Sequence, residues 1–170
     1  TSQIRGLGTT NARAIETSDI AVISSIQIAG FSTDQVRALT TAQVEAISAS
    51  SIVGLNFAGL NSSQLRAISA SDFSGTNVSS SQLLAITGEM ADGFTSSQLS
   101  NIEPYNFYLE ALSTSVIASL DTSQIIGITG NSLSLFSEGL IKAIATDVIS
   151  SLTTDQLSAL ASSFKTSYFR

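Results

Sequence analysis

The fold is decided by the stretch Phe31-Ser-Thr-Asp-Gln-Val-Arg-Ala-Leu-Thr-Thr-Ala-Gln-Val-Glu-Ala-Ile-Ser48, which contains one eight-residue pattern twice. The first copy runs from Thr33 to Thr40 and the second from Thr41 to Ser48. Each copy reads small polar, any residue, Gln, aliphatic, any residue, Ala, aliphatic, and Ser or Thr. Most of the remaining chain repeats this octad with varying fidelity, so internal repetition is the first property to explain.

Each octad contains a signal for the start of a helix. Thr40 can accept a hydrogen bond from the backbone N–H of Gln43, and the Gln43 side chain can reach back to the N–H of Thr40, which is a capping box. Leu39 and Val44 have the spacing of a hydrophobic staple around this cap. One octad therefore predicts a helix of about two turns. Its last aliphatic residue also forms the hydrophobic staple of the next helix.

The eight-residue period argues against one long helix. Eight residues at about 100° each overshoot two turns by about 80°, so the apolar stripe of a straight helix would spiral around it. A strand is also disfavoured, because Val44, Ala46 and Ile47 do not alternate with a period of two. We therefore predict an all-α solenoid of very short helices, right- or left-handed, whose stability comes from stacking neighbours.

The octad pattern assigns one domain and a short C-terminal segment. Residues 1–161 are predicted to form the octad-repeat solenoid, with breaks near 56–61, 76–79 and 103–107. The third break contains Pro104, which predicts that a helix ends by Ile102 or Glu103. Residues 162–170 leave the pattern and are predicted to be a C-terminal cap or tail.

Two aliphatic slots in each octad are predicted to form the core, with a small residue between them. From Tyr108 onward these slots persist although Gln is kept only at Gln124 and Gln156. The first slot continues through Ile149 and Leu157, which are predicted to be buried like the others. The small slot, occupied for example by Ala38 and Gly54, predicts that two backbones pass close together.

Composition excludes several kinds of chemistry. The 170 residues include no His and no Cys, which removes the commonest general base, disulfides, thiolate metal sites and Ser-His-Asp or Cys-His triads. The net charge of −6 opposes binding to nucleic acid phosphates. No hydrophobic run approaches the roughly 18–20 residues of a membrane span. The 13 carboxylates are scattered over variable slots, so we predict no enzyme and no cofactor; Glu89 and Asp92 leave a weak calcium contact open.

The segments Leu39–Ile47 and Leu152–Leu160 resemble the short "LTTxQVxAL" tandem units of some very large secreted bacterial surface proteins. The resemblance implies a secreted or cell-surface location and a part in adhesion or extracellular layers. It implies no site at the level of residues. Thr153–Leu160 also resembles the first helix of TAL-effector repeats, but those are about four times longer and need a basic groove, so we reject that kinship.

Two functional hypotheses remain open. The first is a structural module of an extracellular bacterial protein, a stalk, fibre or surface-layer element that associates with itself through Phe164, Tyr168 and Phe169. The second is an adhesin-type module that recognises a glycan or protein partner through a loop containing Tyr105, Phe107 and Tyr108. Ice binding by a regular Thr array is a weaker alternative, because Thr occupies varied slots and alternates with Ser.

Overall fold

The structure is a computed structural model, and it describes residues 2–73, 77–102 and 109–167. Within these ranges the chain forms short α-helices and 3-10 helices, and no strand occurs there. The α-helices are α1 Ser2–Arg5, α2 Thr9–Arg13, α3 Thr17–Ala21, α4 Ser25–Ile28, α5 Thr33–Ala38, α6 Thr41–Glu45, α7 Ala49–Ile52, α8 Ser62–Ala67, α9 Ser80–Leu84, α10 Ser96–Asn101, α11 Thr114–Ser119, α12 Thr122–Ile125, α13 Gly130–Leu133, α14 Glu138–Ala143, α15 Thr146–Ile149 and α16 Thr154–Ser167. The 3-10 helices are Phe57–Gly59, Ala70–Phe73, Gly88–Gly93 and Leu109–Ala111.

The predicted capping box starts these helices. At α6 the side chain of Thr40 accepts from the N–H of Gln43, and the side chain of Gln43 accepts from the N–H of Thr40. The preceding helix, α5, ends because Leu39 adopts an extended conformation with φ −59° and ψ 146°. The chain therefore turns a corner at the residue before each cap, as the octad pattern predicts.

The helices pack on one another at a nearly constant separation along the chain. Nearly every packed pair consists of an element and the third element after it, such as α2 with α5, α4 with α7 and α12 with α15. Packed elements begin about 24 residues apart, for example at Thr9 in α2 and Thr33 in α5. We call the earlier of two packed segments the preceding level and the later one the following level.

The two aliphatic slots form one continuous hydrophobic cluster along the described chain. Val44 and Ile125 in the first slot, and Leu39 and Ile128 in the second, are at most 3% exposed. The prediction is wrong at the end of the series, where Ile149 is 40% and Leu157 is 45% exposed. These two side chains point toward a following level, and no described segment lies there to cover them.

The breaks predicted from the sequence fall partly outside the described residues. The break near 56–61 contains the 3-10 helix Phe57–Gly59, and α10 ends at Asn101 with Ile102 as its C-cap, as predicted before Pro104. Residues 74–76 and 103–108 lie outside the described ranges.

The expected change at residue 162 does not coincide with a helix end. Helix α16 runs without interruption from Thr154 to Ser167. Ala161 stands in the slot where most octads place a Ser or Thr cap, so no side chain there competes for the backbone N–H groups. Ala145 fills the same slot before α15, and there one helix still ends and the next begins. The absence of a capping side chain therefore allows a helix to continue but does not by itself make it continue.

Candidate functional site

The glutamine of the octad performs two tasks at once. In Gln43, Oε1 accepts from the backbone N–H of Thr40 at 2.8 Å, which completes the capping box. Its Nε2 donates to the carbonyl oxygens of Ala12 at 3.1 Å and Ile15 at 2.7 Å, in the preceding level. One side chain therefore fixes the start of its own helix and ties that helix to a segment about 30 residues earlier.

The same bond pattern recurs along the chain. Seven glutamines, which we call the bridging glutamines, cap their own helix and donate from Nε2 to carbonyls 25 to 33 residues earlier: Gln35, Gln43, Gln64, Gln82, Gln98, Gln124 and Gln156. All seven are buried. No buried side-chain N or O atom in the described residues lacks a hydrogen-bond partner. The bridges therefore satisfy carbonyls that the short helices leave open at their C-terminal ends.

Residues other than glutamine also occupy the glutamine slot. The hydroxyl of Ser51 donates to the carbonyl of Ile23 at 2.5 Å, so a shorter side chain can also reach the preceding level. Val116, Leu140 and Val148 fill the slot with buried apolar side chains. At these positions the slot is buried whether its residue is polar or apolar, so hydrogen bonding and apolar packing are alternative ways to fill it.

The small slot also faces the preceding level. A Cβ added to Gly54 would collide with the carbonyl of Ser25 and lie 2.8 Å from Cγ2 of Ile28. Gly59, in the break near 56–61, approaches the preceding level in the same way, and a Cβ there would lie 2.7 Å from Cβ of Val36. Ile28 and Val36 belong to the first aliphatic slot, so this slot is covered by the small slot of the following level. Glycine is required here by close approach and not by an unusual backbone angle.

The charged side chains do not converge on one point. The described residues contain no group of three or more Asp, Glu, His or Cys side chains placed to share a metal ion. Lys142 and Glu138 form an exposed ion pair of 2.5 Å within α14. The guanidinium of Arg66 donates to the carbonyl of Asp92, so this arginine ties two levels together at the surface.

Two carboxyl groups have perturbed pKa values with different causes. The hydrogen bond from the Ser123 hydroxyl, followed by the backbone N–H of Gln124, lowers the pKa of Asp121. Asp121 is the N-cap of α12, so its charge stabilises a helix start. Burial raises the pKa of Asp72, which lies in the 3-10 helix Ala70–Phe73. Both effects are explained by local structure without a ligand.

The residues predicted to make functional contacts lie largely outside the described part of the chain. Tyr105, Phe107 and Tyr108, predicted as a binding loop, lie outside it, as do Tyr168 and Phe169 of the predicted assembly contact. Phe164 lies in α16, but its side chain is outside the description. The described surface instead has a shallow groove lined by Arg37, Leu60, Asn61, Thr87, Glu89 and Met90.

The geometry places the chain among repeat proteins built from short helices. Residues 12–49 match the model of the ALTTAQ repeat family. The six letters of that name occur in this chain as Ala38-Leu-Thr-Thr-Ala-Gln43. Ala38 is in the small slot, Leu39 is buried, and Thr40 and Gln43 form the capping box of α6. Comparison with curated proteins and with solved structures gave no match. In the described residues, no helix is long and apolar enough to cross a membrane.

Proposed function

We propose that the chain is a structural module, a self-associating stalk, fibre or surface-layer element of a secreted bacterial surface protein. Its fold in this proposal is a solenoid of short helices that advances by one level about every 24 residues, the spacing of packed pairs such as α2 and α5. The observation that carries the proposal is the series of bridging glutamines, because each one joins a level to the level before it. A fold held by contacts between successive levels can be lengthened without altering those contacts.

The hydrogen bonds of the bridging glutamines make it costly to separate two levels, which suits a structural module. Each bridging amide is buried and makes bonds both within its own helix and to the preceding level, for example Gln64 with Asn61, Val36 and Leu39. Breaking such a buried bond leaves polar groups without partners, at a cost of about 1–3 kcal/mol each. Every separation of two levels therefore carries this cost in addition to the loss of apolar contact.

The extracellular location rests on the resemblance of the octads to repeats of secreted bacterial surface proteins. The composition agrees with that setting, because Ser and Thr replace much of the usual charged surface and the chain contains no free thiol that could oxidise. Fractionating cells that express the protein tests the location, and a protein found only in the cytosolic fraction would contradict it.

Electron microscopy of the purified chain tests the structural role. We expect rods that join into fibres or ordered sheets as the protein concentration rises. Separate compact particles at every concentration would contradict self-association. Small-angle X-ray scattering supplies the monomer's shape, and a radius of gyration near the 15 Å or so that a compact chain of this length would have would contradict an extended solenoid.

The shallow groove supports a second candidate function, recognition of a glycan or a protein partner. Arg37 and Glu89 offer charged groups there, Asn61 and Thr87 offer hydrogen-bonding groups, and Met90 is a flexible apolar contact. A glycan array probed with the labelled chain tests this function. Binding that disappears in the double variant Arg37→Ala, Asn61→Ala would favour the groove over the loop at Tyr105, and binding unaffected by that change would favour the loop.

A further inference from the structure

One position in the glutamine slot holds an acid instead of an amide. Asp72 lies eight residues after Gln64, and its backbone N–H donates to the carbonyl of Ser69 at 3.0 Å where the 3-10 helix Ala70–Phe73 begins. The residue is 6% exposed, so its carboxyl group keeps a narrow contact with solvent through which a proton can exchange. This carboxyl group stands in the slot from which the bridging glutamines donate, but an ionised carboxylate can only accept hydrogen bonds.

The neighbouring bridges indicate which acceptor this slot faces. Gln64, the slot residue one octad earlier, donates to the carbonyl of Leu39 at 2.7 Å. Gln82, the slot residue of the next octad, donates to the carbonyl of Leu55 at 3.0 Å. The slot between them therefore corresponds to the carbonyl of Ile47, midway between these two acceptors in the repeat. Ile47 is 3% exposed, and its carbonyl accepts from no donor in the described residues.

A side chain shorter than glutamine spans the distance between two levels. The hydroxyl of Ser51, in α7, donates from the same slot to the carbonyl of Ile23 at 2.5 Å. Helix α7 packs directly on the 3-10 helix that carries Asp72. The reach of an aspartic acid lies between those of Ser and Gln, and its protonated form has one O–H donor. Protonated Asp72 can therefore make the bond that its ionised form cannot.

We propose that the protonated carboxyl group of Asp72 donates to the carbonyl oxygen of Ile47, so that the contact between these two levels is tight at acidic pH and loosens when the carboxyl group ionises. Ionisation leaves a buried carbonyl without a donor and sets a negative charge against it, which disfavours the contact. Phe73 holds the 3-10 helix to the following level in either form, because its ring packs edge-on against Phe94 with the ring centroids 5.9 Å apart. The switch therefore acts on the contact with the preceding level.

The described surroundings of Asp72 do not stabilise its ionised form. Burial raises the pKa of Asp72, and neither a positive charge nor a hydrogen-bond donor of the described residues lowers it. The two helices packed on it, α7 and α10, contain no titratable residue. Glu45, two residues before Ile47, is exposed and acidic, so it does not favour a second negative charge nearby. A carboxyl group whose pKa is raised by folding stabilises the folded state fully below the unfolded-state pKa, and this contribution is lost as the pH rises through the folded-state pKa.

Thermal denaturation of Asp72→Asn and Asp72→Ala between about pH 3 and about pH 7 tests the switch. The amide of the Asn variant donates at every pH, and the Ala variant has no donor at any pH. We expect the Asn variant to melt about 3 °C or more above the parent at about pH 7, and within about 1 °C of it at about pH 3, below the ordinary Asp pKa of about 3.9. At the acidic end the parent should also melt above the Ala variant. The control Asp34→Asn removes the same charge at an exposed position, and its difference from the parent should not follow this pattern.

Hydrogen exchange shows where the change occurs. In the parent, protection of the backbone amides in α7 and in the 3-10 helix Ala70–Phe73 should fall as the pH rises, after correction for the intrinsic exchange rate. In Asp72→Asn it should not fall. The packed pair α12 and α15, further along the chain, should show no such difference between the two proteins.

Three results would overturn the inference. If the parent and Asp72→Asn differ by the same amount at both ends of the pH range, protonation of Asp72 makes no stabilising bond. If the parent is no more stable than Asp72→Ala at the acidic end, the protonated carboxyl group does not donate to the preceding level. If calcium chloride or potassium chloride stabilises the parent at neutral pH but not Asp72→Asn, a cation and not a proton fills the slot. The proposed self-association does not depend on any of these results.

Discussion

Nε2 of Gln98 lies 2.7 Å from the carbonyl oxygen of Ile68, 30 residues earlier in the chain. Oε1 of the same amide accepts from the N–H of Thr95 at 2.9 Å, so one buried side chain joins a local helix cap to a long-range contact. Local and tertiary structure therefore depend on the same group. A residue that propensity alone would describe as a cap also determines where one level sits on another.

Replacing a bridging glutamine should cost more than replacing a glutamine that only caps. Gln98→Ala leaves the carbonyls of Leu65 and Ile68 without this donor inside the protein, so we expect a loss of about 2–4 kcal/mol in unfolding free energy. Gln27→Ala removes an equivalent capping box at an exposed position, and we expect about 0.5–1 kcal/mol. Urea denaturation measures both. Equal losses would mean that the bridges contribute nothing beyond the cap.

Glycine in the small slot should resist even one methyl group. A Cβ on Gly127 would collide with the backbone of Ser96 in the preceding level, so we expect Gly127→Ala to destabilise the protein by about 1–3 kcal/mol through overpacking. Gly139 lies in α14 with no atom closer than 3.9 Å to an added Cβ. Gly139→Ala should therefore stabilise by about 0.5–1 kcal/mol through helix propensity. Thermal denaturation should show midpoint shifts of opposite sign, and shifts of the same sign would refute the close approach.

The first aliphatic slot should contribute less to stability at the end of the described series of levels. Leu133 is fully buried, so Leu133→Ala should destabilise by about 2–5 kcal/mol. Leu157, in the same slot, is 45% exposed, and in dilute monomeric protein we expect Leu157→Ala to cost about 1 kcal/mol. Chemical denaturation at low protein concentration compares the two. A cost at Leu157 as large as that at Leu133 would show that something covers it in solution.

Much of the local structure could be predicted from the sequence because its signals lie within one octad. The cap at Thr40, the box with Gln43 and the end of α10 before Pro104 depend on residues at most four positions apart. These features are confirmed because short-range geometry alone determines them. Burial of the aliphatic slots was predicted from the same period and is confirmed for most of the described chain.

The rest depends on which distant segment faces each slot. The octad predicts that Gln43 caps a helix, but its second bond depends on Ala12 and Ile15 lying alongside, which no local pattern specifies. Ile149 and Leu157 match the core pattern as well as Ile125 does, and the prediction failed there because burial requires a following level. Identical octads therefore have different environments according to their place in the series.

The cap at Asp121 should make stability depend on pH in a defined direction. Hydrogen bonds from Ser123 and Gln124 hold the folded-state pKa of Asp121 below its ordinary value, so the carboxylate stabilises the folded state. That contribution is complete above the unfolded-state pKa and is lost as the pH falls through the folded-state value. Asp121→Asn keeps a capping oxygen but removes the titration. We expect the parent to be the more stable of the two at pH 6 and its advantage to shrink as the pH falls below the unfolded-state pKa toward the lowered folded-state pKa. Subtracting the two melting profiles removes the contribution of the other carboxylates, and a difference that stays constant from pH 6 to pH 2 would show that this charge does not stabilise α12.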